Sequence, residues 1–142
     1  MAEAPESLVV VLPDAGPLIT LAYADALDLL LRPGWPVHVV DMVLHEVTRN
    51  STPTSEKIGL WVAGAPIPIV TTRTFEHYFA ALAGGAIKPR KSNLGELAVQ
   101  ETMNELALGA PATTCIFLFE DHKIASASFL IPDNCRRIST RA

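Results

Sequence analysis

Residues 8–17, Leu8-Val9-Val10-Val11-Leu12-Pro13-Asp14-Ala15-Gly16-Pro17, decide how the chain folds. Five apolar residues in a row, three of them β-branched, read as a buried strand rather than an amphipathic helix. Asp14 closes the run, and Pro17 suits the first turn of a helix. Helical spacing then continues through Leu18, Leu21, Ala22, Ala26, Leu29 and Leu30 until Arg32-Pro33-Gly34 ends it. Within that stretch Asp25 is expected to cap a second short helix.

The same alternation recurs down the chain. Val37 to Val40 form a second strand, and Asp41 is placed to cap a helix from Met42 to about Arg49. A further helix starts near Pro53 and ends by Gly64. Ile67 to Thr71 can be a short strand, which Pro68 confines to a sheet edge. Phe75, Tyr78, Phe79 and Leu82 mark one helix face, suited to helix packing or to a dimer contact. Gly84 to Ser92 read as a loop, Asn93 to Leu108 as a clear helix, residues 115–119 as a strand, and Arg136 to Thr140 as a last strand. Strands alternating with helices imply a parallel sheet covered on both faces.

The totals agree with this. The chain has 142 residues, enough for one domain with a sizeable core, and its 49% hydrophobic against 18% charged residues exclude a disordered chain. A net charge of −4 is a poor footprint for general DNA binding, although a local basic patch or bound cations can reverse the sign where it matters. The longest uncharged stretch, Ile58 to Thr72, is too short to span a bilayer and contains two prolines. The acidic N-terminus lacks the basic start of a signal peptide. Cys115 and Cys135 form no CxxC pair, and Cys115 reads as a buried strand residue, so a reducing cytoplasm is the expected setting.

Four acids carry the chemistry. Asp14 follows the first strand, Glu46 lies shortly past the second, Glu96 sits at the start of the helix after Asn93, and Asp121 follows Cys115 to Phe119. Strand ends of a parallel sheet share one edge, where ligands bind, so these carboxylates can meet in one pocket. Clustered like charges are costly without a cation, which points to a divalent metal. Each acid also has a structural explanation. Asp14 and Asp121 stand where helix caps stand, Glu46 fits an exposed helix position, and Asn93-x-x-Glu96 has the form of a capping box. Glu120 competes with Asp121 for the fourth place, and Asp121 is preferred. Lys88, Arg90 and Lys91 can contact phosphates or simply be a solvated loop, and Arg136, Arg137 and Arg141 pose the same choice. His38, His45, His77 and His122 lack HExxH spacing, and there is neither a GxxxxGK loop nor a GxSxG elbow.

With these positions in hand, the chain resembles the PIN-domain family. The likeness lies in Asp14-Ala15-Gly16-Pro17-Leu18-Ile19-Thr20-Leu21-Ala22 with Leu27-Asp28-Leu29-Leu30. It continues in Val43-x-x-Glu46-Val47, in Gly95-Glu96, and in the apolar strand ending Glu120-Asp121. The resemblance implies a three-layer α/β/α sandwich with a mainly parallel sheet, in one domain over residues 1–142. It implies a ribonuclease dependent on Mg²⁺ or Mn²⁺, with Asp14, Glu46, Glu96 and Asp121 as its acidic quartet. It further implies a toxin of the VapC type, with a cognate antitoxin and a homodimer as its assemblies. Ala15 stands where many relatives carry Ser or Thr after the first acid. Two rivals are a PIN-like module that binds without cleaving and a phospho-acceptor domain. The second would need a pair of acids after the first strand and an Asp after a middle one, whereas here only Asp14 follows the first strand and Thr71-Thr72 follow the middle one.

Overall fold

The first apolar run does form a strand, β1 (Val9–Pro13), and three of its residues, Val10, Val11 and Leu12, belong to the core. The computed structural model describes residues 9–85, 94–109, 113–120 and 135–140. After β1 come α1 (Ala15–Tyr23), a 3-10 helix (Leu27–Leu31), β2 (Val39–Val40), α2 (Asp41–Thr48), α3 (Pro53–Gly64), β3 (Ile69–Val70), α4 (Arg73–Ala83), α5 (Leu94–Leu108), β4 (Thr114–Phe119) and β5 (Cys135–Ser139).

Among the described residues every strand pairing is parallel. β1 lies beside β4, with Val10 opposite Cys115, and β4 lies beside β5, with Cys115 opposite Cys135. β2 pairs with β3 through Val39 and Ile69. The two groups join where Val11 bridges Val37: Val11 N–H donates to the Pro36 carbonyl at 2.8 Å, and His38 N–H donates to the Val11 carbonyl at 3.0 Å. The resulting spatial order is β3-β2-β1-β4-β5. From β1 the chain steps outward to β2 and β3, then crosses back to the other side of β1. Connections therefore leave β1 and β4 in opposite directions, and this topological switch opens a crevice at the carboxyl ends of the two strands. Asp14 follows β1 there, and Glu120 follows β4.

The core is continuous across sheet and helices. Leu12, Leu18, Ile58, Met103 and Phe117 are fully buried. Cys115 and Cys135 are buried free thiols, as the strand reading of Cys115 expects. β3 is the short edge strand anticipated from Pro68. Among the described residues, no helix is long and apolar enough to cross a membrane.

Local chemistry explains where α3 begins. Thr52 and Ser55 close a reciprocal capping box at the start of α3, with Pro53 in its first turn. Two readings are corrected. Asp25 caps no second helix: the 3-10 helix starts after Ala26, and Asp25 instead ends α1 in the left-handed region at φ 51°. Asp25 N–H donates to the Ala22 carbonyl at 3.1 Å, and Ala26 N–H to that of Leu21 at 2.8 Å. This is a Schellman closure with an aspartate in the place glycine usually takes. Asp41 likewise is the first residue of α2 rather than its cap. Its buried carboxylate accepts from Met42 N–H, Thr72 N–H and the Thr72 hydroxyl, each at 2.7 Å, and so ties α2 to the segment entering α4.

Candidate active site

Three of the four acids read from the sequence line one cavity of about 330 Å³ at the switch crevice: Asp14, Glu46 and Glu96. They come from the end of β1, from α2 and from the first turn of α5. Asp14 occupies the N-cap position of α1 with extended backbone (φ −80°, ψ 176°), yet its carboxylate makes no capping hydrogen bond. The structural role its position suggests is therefore not taken.

Glu46 is held by the opposite end of another helix. Its Oε1 accepts the Gly95 N–H at 3.0 Å. That N–H belongs to the first turn of α5, where backbone donors have no partner within the helix and carry partial positive charge. The approach depends on glycine, since a Cβ on residue 95 would stand 2.7 Å from Glu46 Oε2. Burial pushes the Glu46 carboxyl above its ordinary value; the Gly95 N–H and Arg49 oppose that shift, and the neighbouring Glu96 charge adds to it. Two carboxylates thus share a partly desolvated space, where a cation would relieve their repulsion.

The fourth acid is not placed. Asp121 lies outside the described residues, as do Asn93, His122, Lys88, Arg90, Lys91 and Arg141. Its rival Glu120 is engaged elsewhere. Glu120 Oε2 accepts from the Thr20 hydroxyl at 2.7 Å and from that of Thr140 at 3.4 Å, and its Cβ sits 3.0 Å from where a side chain on Gly16 would begin. Thr20 is thereby bound to Glu120. Arg136 and Arg137 are exposed on β5. Among the described residues, no group of three acidic, histidine or cysteine side chains converges closely enough to hold a metal ion, so the three cavity acids share a space without forming a closed ligand set.

Two further residues line the cavity without having been singled out as chemical: Arg49 and Tyr78. Arg49 was legible in principle, since it stands three positions after Glu46 on α2 and such pairs are neighbours on a helix. Tyr78 was read as packing, which is partly right. Its ring stacks beside Phe75 at 6.5 Å and meets His45 edge-on at 5.4 Å. Burial, together with the Arg49 charge, keeps the pKa of His45 below its ordinary value.

No family model and no curated protein matches the chain. Among solved structures it is similar to the PIN domain of RRP44 from T. brucei, with a TM-score of 0.59, 12% sequence identity, and coverage of 95% of this chain and 76% of that one. The α/β architecture with a parallel central sheet is therefore a PIN-like fold.

Proposed function

We propose that the chain is a divalent-metal-dependent endoribonuclease that hydrolyses RNA phosphodiester bonds in the acid-lined cavity. One observation carries this reading: Asp14, Glu46 and Glu96, from three elements distant in sequence, line a single cavity at the switch crevice of a PIN-like fold.

Carboxylate oxygens are the donors that Mg²⁺ and Mn²⁺ prefer, and Mg²⁺ keeps several waters, so acids that stand apart suit it. Asp14 and Asp121 would hold the ion most directly, with Glu46 and Glu96 completing the shell directly or through water. Such an ion, when bound, neutralises the phosphate and lowers the pKa of a water. The protein's own part is positional. Gly95 N–H fixes one oxygen of Glu46. Glu96, which lines the same cavity, would orient a water. Lys88, Arg90 and Lys91 are assigned to RNA phosphates, by their charge alone.

The narrower assignment, a cytoplasmic toxin of a type II pair, rests on the resemblance of the sequence to VapC-type proteins. Its assemblies would be a homodimer and a complex with a cognate antitoxin. α4 supports an assembly of some kind, because no residue of it is buried and Phe79 and Leu82 are exposed. Co-purification of a small partner from the native source tests the toxin assignment, and light scattering tests the dimer. The rival, a PIN-like module that binds RNA or protein without cutting, is separated by chemistry. Wild type and Asp14→Ala are compared on an RNA pool with Mn²⁺, with Mg²⁺ and with chelator. Metal-dependent cleavage lost in Asp14→Ala is expected; absent cleavage, or cleavage that survives the substitution, refutes the enzyme.

A further inference from the structure

The cavity that holds the acids also holds two groups of another kind. Arg49 stands at the carboxyl end of α2, exposed, and lines the cavity. Its charge acts on Glu46 and on His45. Among the described residues it nevertheless makes no ion pair: Lys57 with Asp25 is the pair formed there. A cation at a helix carboxyl end is favourable in itself, which accounts for the charge. It does not account for an arginine lining a cavity with Asp14, Glu46 and Glu96 while forming an ion pair with none of the three.

Tyr78 borders the same cavity from α4. Phe75 and His45 hold its ring, so the side chain has little rotamer freedom left to lose on binding. One arginine and one braced aromatic ring on the same cavity together match a nucleotide unit: a backbone phosphate for Arg49 and a base for the ring. The cavity volume falls at the small end of the range for small-ligand pockets, which suits one nucleotide of a strand rather than a duplex.

We infer that Arg49 and Tyr78 form a nucleotide subsite beside the acids, Arg49 taking a backbone phosphate and the Tyr78 ring stacking on an unpaired base. This rests on the ribonuclease reading for its biological sense, but its test is a binding measurement. A short fluorescein-labelled single-stranded RNA is titrated with the full chain in Ca²⁺ and in chelator, and anisotropy is followed over a range of salt. Arg49→Ala is expected to weaken binding about tenfold at low salt and to reduce the salt slope by about one, with Arg49→Lys restoring the slope. Tyr78→Phe should bind within about twofold of wild type, and Tyr78→Leu about tenfold more weakly. A duplex of the same sequence should compete poorly. Thermal melts confirm that each variant is folded; because Arg49 is exposed, the arginine variants test the subsite even if Tyr78→Leu does not fold.

The subsite is overturned if wild type does not bind the strand, if Arg49→Ala leaves affinity and salt slope unchanged, or if Tyr78→Phe loses as much as Tyr78→Leu. Cleavage by wild type with unchanged binding in the variants leaves the nuclease standing and removes the subsite. Binding that depends on both residues, without cleavage, keeps the subsite and removes the nuclease.

Discussion

Gly95→Ala separates a positioned acid from a helix cap. The added Cβ would stand 2.7 Å from Glu46 Oε2 and 3.1 Å from Cδ and Oε1. Ordinary contact begins at 3.4 Å, so the carboxylate must retreat by about 0.7 Å. It is the end of a flexible side chain and can do so. The retreat breaks the 3.0 Å bond from Gly95 N–H, a bond to a charged group worth about 1.5–3 kcal/mol. Alanine in a helix returns up to about 1 kcal/mol. The net loss is about 1 kcal/mol, or about 3 °C in Tm for a chain of this size. Catalysis is far less tolerant, since a misplacement of this order can cost about 10²-fold. The expected result is a nearly unchanged melt with Mn²⁺-dependent RNA cleavage reduced about 10²-fold. Glu46→Gln is the companion variant: it keeps an oxygen for Gly95 N–H and removes the charge, so it should melt normally and lose the Mn²⁺-induced rise in Tm. If both variants cleave like wild type, Glu46 is a cap for α5 and the site is wrongly drawn.

Glu101 offers a pH test away from the cavity. Burial favours its neutral form, but the N–H groups of Arg73 and Thr74, the Thr74 hydroxyl and the Arg73 charge outweigh that and hold its pKa below 4.5. A lowered folded pKa contributes stability that is present above the ordinary value and lost as pH falls through the folded value. The Tm difference between wild type and Glu101→Ala, about 1 kcal/mol from the lost cap of α4, should therefore be full at neutral pH and shrink below about pH 4.5. A difference that does not change with pH would contradict this. Asp25→Gly removes the cost of a left-handed aspartate and with it an ion pair to Lys57, 2.7 Å long but between exposed groups. The backbone gain should win, stabilising by about 0.5 kcal/mol; a lower Tm would show that the ion pair matters more. Asp41→Ala leaves three donors without their acceptor and should cost about 3 kcal/mol in denaturant melts while sparing Mn²⁺ affinity, which calorimetry reads.

Local signals made most of the fold legible. The apolar run at Val9 to Leu12, Pro53 in a first turn and Pro68 at an edge each act through their own backbone. Asp25 misled because a left-handed closure by aspartate and a helix N-cap call for the same residue type, and only the φ angle tells them apart. The acids at 14, 46 and 96 were legible as a set because strand ends of a parallel sheet converge. What Glu46 does with Gly95, and Glu101 with Arg73 and Thr74, depends on helices meeting across 49 and 28 residues of chain. No local pattern reports that. Tyr78 was hidden for a related reason: its helical spacing with Phe75 and Phe79 reads as packing, and only the tertiary approach of α4 to α2 brings it to the cavity.

The central strand has one further consequence, for the order in which the molecule is made. Once synthesised, β1 can meet Val37 after a short further stretch, but its other neighbour, β4, is separated from it by about 100 residues. Until Thr114 to Phe119 are synthesised, one side of an apolar strand stays unpaired and the crevice beside Asp14 has a single wall. The crevice beside Asp14 gains its second wall only when β4 pairs with β1, and a shorter nascent polypeptide carries the acids at 14, 46 and 96 without the pairing that brings them to one cavity.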